Sequence, residues 1–151
     1  MKAKTILFPT DFSTLSNAAL EHATALAKES GAKLLIVHVA EPPAVYGAGE
    51  MYYGVPDPDT PTLRRMLAEV VPADASVPCE RRLLVGDPAG EITAVARAED
   101  VDMIVMSTHG RTGLSRVLMG SVAELVVRRA TCPVLTLKPR HAQAPNAAAA
   151  G

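Results

Sequence analysis

Apolar residues in this chain come in short solid blocks separated by stretches with helical spacing. The first block, Lys4 to Phe8 (KTILF), reads as a strand ended by Pro9. Ser13 or Thr14 can cap the helix that follows. Leu15, Ala19, Ala23 and Leu26 then recur at helical intervals, and Gly31 sits where a helix commonly stops. Lys33 to Val39 (KLLIVHV) is a second apolar run. Strand, helix and strand within 39 residues make a βαβ unit, which predicts two parallel strands with a right-handed crossover. Residues 41–60 break the pattern with Pro42, Pro43, Pro56, Pro58 and three glycines, and read as a long loop. A short helix is expected from Thr60 to about Val71, with Pro61 near its start. A third strand is expected at 79–85 (CERRLLV). Asp87 as cap and Pro88 at the first helical position then start a helix to about Glu99 that buries Ile92, Val95 and Ala96.

After Asp102 the text 103–138 reads as strand, glycine-bearing loop, helix, strand. Met103 to Met106 is unbroken apolar sequence, as in a strand covered on both faces. Ser107, Thr108, Gly110, Thr112, Gly113 and Ser115 crowd the loop. A helix is expected from Gly120-Ser121 to about Ala130, burying Val122, Leu125 and Val126, and Val134 to Leu137 is a fifth strand. Small residues at the carboxyl end of a buried strand, followed by a helix N-terminus, suit an anion and above all a phosphate. Across 107–138 the basic residues are Arg111, Arg116, Arg128, Arg129 and Lys138 against the single acid Glu124. The whole chain has a net charge of −1, so the local excess of positive charge falls beside this loop.

Alternation of strands and helices predicts one α/β domain, a Rossmann-like doubly wound parallel sheet of five strands with helices on both faces. At 151 residues a single domain is expected, with 48% apolar and 21% charged residues. The domain spans 1–138. The tail 139–151, with six alanines in thirteen residues, has nothing to bury and is expected to be disordered. All five aromatics (Phe8, Phe12, Tyr46, Tyr52 and Tyr53) precede residue 54, so the core is expected to be aliphatic and alanine-rich. Near-zero net charge argues against nucleic-acid or membrane-surface binding. No apolar run approaches the ~20 residues that span a bilayer. No signal peptide is evident, and the default expectation is a cytoplasmic protein. Cys79 and Cys132 have no metal or CxxC spacing and read as buried thiols in a reducing compartment. His22 and His38 belong to no metal-ligand cluster.

Gly110, nine intervening residues and Gly120-Ser121 match the last three fixed positions of G-x2-G-x9-G-[ST]; the first falls on Ser107. With STHGRTGLSRVLMGSVAE and a Cys-Pro-Val strand behind it, the stretch resembles the nucleotide-binding signature of the universal stress protein family, over about residues 2–138. The resemblance implies strand order 3-2-1-4-5. The PTDFS turn after strand one and the STHGRTG loop after strand four then meet where strand order reverses. It also implies an ATP site. Pro9, Thr10 and Asp11 of the PTD text, with Val39, would face adenine, a carboxylate being able to accept the exocyclic amine. Gly86 would form another wall. Ser107, Thr108, Gly110, Arg111, Gly113, Gly120, Ser121 and Val122 would hold ribose and phosphates, with Arg116 as a further cation. Mg2+ would arrive with the phosphates, and a homodimer through strand 134–137 is implied.

Each residue has a plainer alternative. Asp11 can serve as a helix-start carboxylate, Val39 as core, the glycines as turn and cap residues, and the arginines as solvated side chains. His109 has no nucleophile or second acid specified beside it, and no catalytic residue is assigned. The missing G-x4-G-K-[ST], G-x-G-x-x-G, G-x-S-x-G and H-E-x-x-H patterns exclude several enzyme classes. The expected function is a nucleotide-responsive regulatory module with slow or no turnover. Two rivals remain: an interaction protein that binds no nucleotide, favoured by Ser107, and a slow ATP hydrolase or self-phosphorylating protein.

Overall fold

The computed structural model describes residues 2–42, 59–109 and 119–138. Most of the proline-rich stretch, the segment 110–118 with Gly110, Arg111, Gly113 and Arg116, and the tail from 139 onward lie outside the described residues.

Nine elements follow in order: β1 (Thr5–Pro9), α1 (Thr14–Ser30), β2 (Lys33–Ala40), α2 (Thr60–Glu69), β3 (Cys79–Val85), α3 (Pro88–Ala98), β4 (Met103–Ser107), α4 (Ser121–Arg129) and β5 (Val134–Leu137). The strands form one all-parallel sheet in the order β3-β2-β1-β4-β5. β1 pairs with β2 from Thr5↔Lys33 to Pro9↔Val37, and with β4 at Ile6↔Met103 and Leu7↔Ile104. Alternate residues of the central strands therefore face opposite layers. Ile6, Phe8, Leu34, Ile36 and Val105 pack against α1 and α2, whereas Leu7, Leu35, Val37 and Ile104 pack against α3 and α4. Both layers are filled by Ala, Val, Leu and Ile, with Phe8 the large aromatic sealed inside. This is the aliphatic, alanine-rich core that the composition predicts.

Three helices start on side-chain caps. Ser13 Oγ accepts from Ser16 N–H at 3.2 Å, Asp59 Oδ1 from Thr62 N–H at 3.2 Å, and Asp87 Oδ2 from Gly90 N–H at 2.8 Å. Gly31 ends α1 with φ 69°, a left-handed conformation that glycine adopts without a Cβ penalty. Helix α2 stops at Glu69, two residues before the expected end, because Val70 turns extended and Arg81 donates twice to its carbonyl, at 2.9 and 3.1 Å.

The buried stripe of α1 is rotated from the expected one. Ser16, Ala19, Leu20, Ala23, Thr24 and Ala27 are buried, while Leu15 and Leu26 are half-buried. Two hydroxyls can sit inside because both are satisfied: Ser16 Oγ donates to Thr10 Oγ1 at 3.1 Å, and Thr24 Oγ1 to Leu20 O at 2.7 Å. In α4, Ala123 and Val126 are fully buried, with Val122 and Leu125 at the margin. Both cysteines are half-buried rather than buried, and they pack on opposite faces of the sheet.

Asp102 stitches the first residues to β4. Its Oδ2 accepts from Thr5 N–H at 2.9 Å and Lys4 N–H at 2.7 Å, which holds its carboxyl below the ordinary carboxylate range. A depressed folded pKa gives stability that is full above the unfolded value and is lost as pH falls through the folded one. Asp102→Asn should therefore lower the urea midpoint at neutral pH, and the wild-type and variant midpoints should converge on titration down through the carboxylate range. Parallel midpoints at every pH would contradict this role.

Candidate functional site

The sheet winds away in opposite directions from the β1–β4 pair, so the carboxyl ends of these strands open a crevice. A cavity of about 600 Å³ occupies it, a volume suited to a small organic ligand. Three pieces of chain build its walls.

The first is the turn after β1. Thr10 N–H donates to Val37 O at 2.8 Å, and the Thr10 hydroxyl accepts from Phe12 N–H at 3.0 Å and from the Ser16 hydroxyl. His38 Nδ1 lies 2.7 Å from the Thr10 carbonyl oxygen, so that nitrogen carries the proton and donates it. Asp11 Oδ1 accepts from Ser13 N–H at 2.9 Å, an Asx turn that fixes the carboxylate at the mouth of β1. Phe12 takes φ 66°, uncommon for a bulky residue, with its ring against that of His38 at a 4.2 Å centroid separation.

The second piece is the end of β4. Ser107 Oγ donates to His109 O at 3.0 Å and accepts from His109 N–H at 3.3 Å, so its hydroxyl is engaged inside its own loop. Thr108 is buried. Its N–H donates to Leu137 O at 3.0 Å, and its hydroxyl donates to the same oxygen at 3.3 Å. Thr108 Oγ1 also lies 2.7 Å from His109 Nδ1, a hydrogen bond whose direction follows the imidazole tautomer.

The third piece is the start of α4, and it differs from the other helix starts in having no side-chain cap. Gly120 N–H is occupied, donating to Thr108 O at 2.6 Å. A Cβ on Gly120 would lie 2.8 Å from the same oxygen, so the close approach of these two backbones requires glycine. Ser121, Val122 and Ala123 follow in the first helical turn, where N–H groups have no intrahelical acceptor, and all three line the cavity. The positive end of the helix dipole therefore faces the cavity. The described lining carries the carboxylates of Asp11 and Glu41 and the imidazoles of His38 and His109, with no lysine or arginine.

Of the residues singled out in the sequence, Pro9, Thr10, Asp11, Val39, Ser107, Thr108, Gly120, Ser121 and Val122 line this one cavity. Gly86 is not among the lining residues. Its N–H donates to Ala40 O at 3.0 Å, its φ is +149°, and a Cβ there would meet the Glu91 side chain at 2.9 Å, which makes it the turn glycine between β3 and α3. Gly110, Arg111 and Gly113 lie outside the described residues. The lining also includes His38, Glu41, Leu63 of α2, and Pro88 and Ile92 of α3. His38 precedes Val39 in β2 and Glu41 follows the last residue of that strand, Ala40, and sequence proximity to Val39 was the one signal for them. Leu63, Pro88 and Ile92 reach the cavity only through helix packing. Among the described residues, no group of three or more His, Cys, Asp or Glu side chains could hold a metal ion, and no helix is long and apolar enough to cross a membrane.

Fold and cavity together define a doubly wound α/β protein with a ligand-sized crevice at the switch point, closed on one side by an uncapped helix N-terminus. The family model described as the universal stress protein family matches residues 2–138. The chain belongs to the universal stress protein family. It is 36% identical over 140 residues to a universal stress protein of Methanocaldococcus jannaschii, an overlap covering 89% of this chain and 82% of that one. A universal stress protein of Thermus aquaticus is 39% identical over 142 residues, covering 89% and 98%. Among solved structures, a universal stress protein in complex with cAMP matches with a TM-score of 0.71 at 25% identity, covering 91% of this chain and 98% of that one.

Proposed function

We propose that this protein binds an adenine nucleotide, ATP foremost, in the switch-point cavity and acts as a nucleotide-responsive regulatory module in stress response, with slow or no turnover. The observation that carries this reading is the uncapped first turn of α4, Ser121 to Ala123, opening into the same cavity as Asp11 and Val39. Free N–H groups and a positive dipole end suit phosphate oxygens. At the other end, the Asp11 carboxylate and the backbone of Val39 suit the amine-bearing edge of adenine. The resemblance to a structure in complex with cAMP supports the same ligand class. Mg2+ would come with the phosphates. His109 is held by Thr108 as a positioning group and is given no proton-transfer role. A homodimer through β5 belongs to the same reading, because β5 is a sheet edge and its Leu135 is 38% exposed.

The test is to denature freshly purified protein and chromatograph the supernatant, then titrate the protein stripped of ligand with Mg-ATP in a calorimeter. Near-stoichiometric ATP in the supernatant, or saturable heat in the titration, is the expected result. ADP alone would replace slow turnover with hydrolysis. An empty supernatant together with a flat titration would sink the nucleotide reading.

A further inference from the structure

The hydrogen-bond count at the turn after β1 leaves one proton over. Thr10 and Ser16 are 5% and 4% exposed, and both line the switch-point cavity. A hydroxyl oxygen accepts through two lone pairs and donates through one proton. Thr10 Oγ1 accepts from Phe12 N–H at 3.0 Å and from the Ser16 hydroxyl at 3.1 Å, which fills both lone pairs. Its own proton then has no acceptor among the described residues. Reversing the bond between the two hydroxyls only moves the surplus to the Ser16 proton, because two protons share one bond. A buried donor left without an acceptor is costly, and the cavity is where this one can meet a partner. The pair is also held in place. Thr10 N–H donates to Val37 O at 2.8 Å, the Thr10 carbonyl accepts from His38 Nδ1 at 2.7 Å, and Ser16 N–H donates to the capping Ser13 Oγ.

We propose that the Thr10–Ser16 pair donates this proton to a ring nitrogen of the nucleotide base, which makes Ser16 a binding residue although no sequence motif singles it out. The assignment rests on the nucleotide reading of the cavity. In that reading Asp11, the neighbour of Thr10, is set against the exocyclic amine of adenine, and it lines the same cavity. On adenine that amine is flanked by N1 and N7, and both nitrogens are pure acceptors. A carboxylate acceptor beside a hydroxyl donor on the protein therefore matches an amine donor beside a ring-nitrogen acceptor on the base. A donor fixed in place before the ligand arrives loses little freedom on binding.

The experiment is calorimetric titration of the full chain with the magnesium complexes of ATP, 1-deaza-ATP and 7-deaza-ATP, in which C–H replaces N1 or N7. Thr10→Val combined with Ser16→Ala removes both hydroxyl protons with little change of shape. That variant should bind ATP about tenfold more weakly than wild type, the cost of leaving a desolvated acceptor unmet. One analogue should bind wild type about tenfold more weakly than ATP does and lose nothing further in the variant. The other should lose as much as ATP. Such coupling between a protein group and a ligand atom marks a direct contact. Ser16→Ala alone keeps α1 and the bond from Phe12 N–H, and should lose part of the affinity. An equal loss for all three nucleotides would mean that the substitutions only disturb the turn, and would overturn the proposal. Wild-type ATP affinity in the double variant, or in Ser16→Ala, would overturn it as well. If wild type gives no saturable heat with any of the three, the nucleotide reading has failed and this assignment falls with it. ATP binding without the coupling sinks this assignment alone.

Discussion

Gly120→Val should abolish tight nucleotide binding while leaving most of the fold in place. A Cβ at this position lies 2.8 Å from Thr108 O, which belongs to the backbone and not to a side chain that could swing aside. Thr108 cannot retreat easily, because its N–H and hydroxyl are both tied to Leu137 O. The start of α4 must therefore move away, breaking the 2.6 Å bond from Gly120 N–H and carrying Ser121 to Ala123 out of the cavity wall. Crowding of this kind costs about 1–3 kcal/mol, which corresponds to an affinity loss of about fivefold to 150-fold. Calorimetric titration with Mg-ATP, alongside far-ultraviolet dichroism to confirm the fold, measures it. Gly120→Ala should show a milder form of the same defect. Undiminished affinity in the valine variant would mean that the α4 N-terminus is not where phosphate sits.

Leu35→Ala should be among the most damaging single substitutions for stability. Leu35 is fully buried in β2, opposite Leu7 of β1, and belongs to the core under α3 and α4 with Ile92, Ala96, Val101 and Ile104. Truncation there leaves a cavity bounded by strands and helices that cannot collapse, for a loss of about 2–5 kcal/mol. Against a total stability of about 5–15 kcal/mol that is a large fraction. Urea denaturation monitored by dichroism gives the value. Leu135→Ala on the β5 edge is the comparison, with an effect within about 0.5 kcal/mol for a surface position on a monomer. A melting temperature of Leu135→Ala that falls with dilution more steeply than that of wild type would reveal an interface at β5. A Leu35→Ala variant as stable as wild type would contradict the core assignment.

Much of this fold was legible locally. Asp87-Pro88 starts a helix and Gly31 ends one because their side chains, or the lack of one, act on backbone groups within a few residues. The solid apolar runs at 33–39 and 103–106 read correctly as strands covered on both faces. The family wording around Gly120-Ser121 marked the start of α4, which lines the cavity. Legibility failed where a side chain's partner is distant in the chain. The helical spacing in α1 named Ala19 and Ala23, which are buried, but not Ser16 and Thr24, and the hydroxyl that satisfies Ser16 belongs to Thr10 in the preceding turn. Ser107 was read as a possible ligand contact and lines the cavity, but that its hydroxyl also closes its own loop onto His109 was not legible. His38 drew notice only for lacking metal partners. Its hold on Thr10 exists because β1 and β2 lie in register, which places His38 one position beyond the Pro9↔Val37 pair.

The sequence by itself determined the elements, their order and the α/β class, because propensity, capping and hydrophobic period act over a few residues and are written where they act. Tertiary structure decided which strand ends meet. Asp11, Val39, Ser107 and Ser121 span 111 positions of chain, yet line one cavity. They do so because the sheet can bury both faces of its central strands only by winding outward from β1 and β4 in opposite directions. The crevice is a by-product of that burial, and no local pattern encodes it.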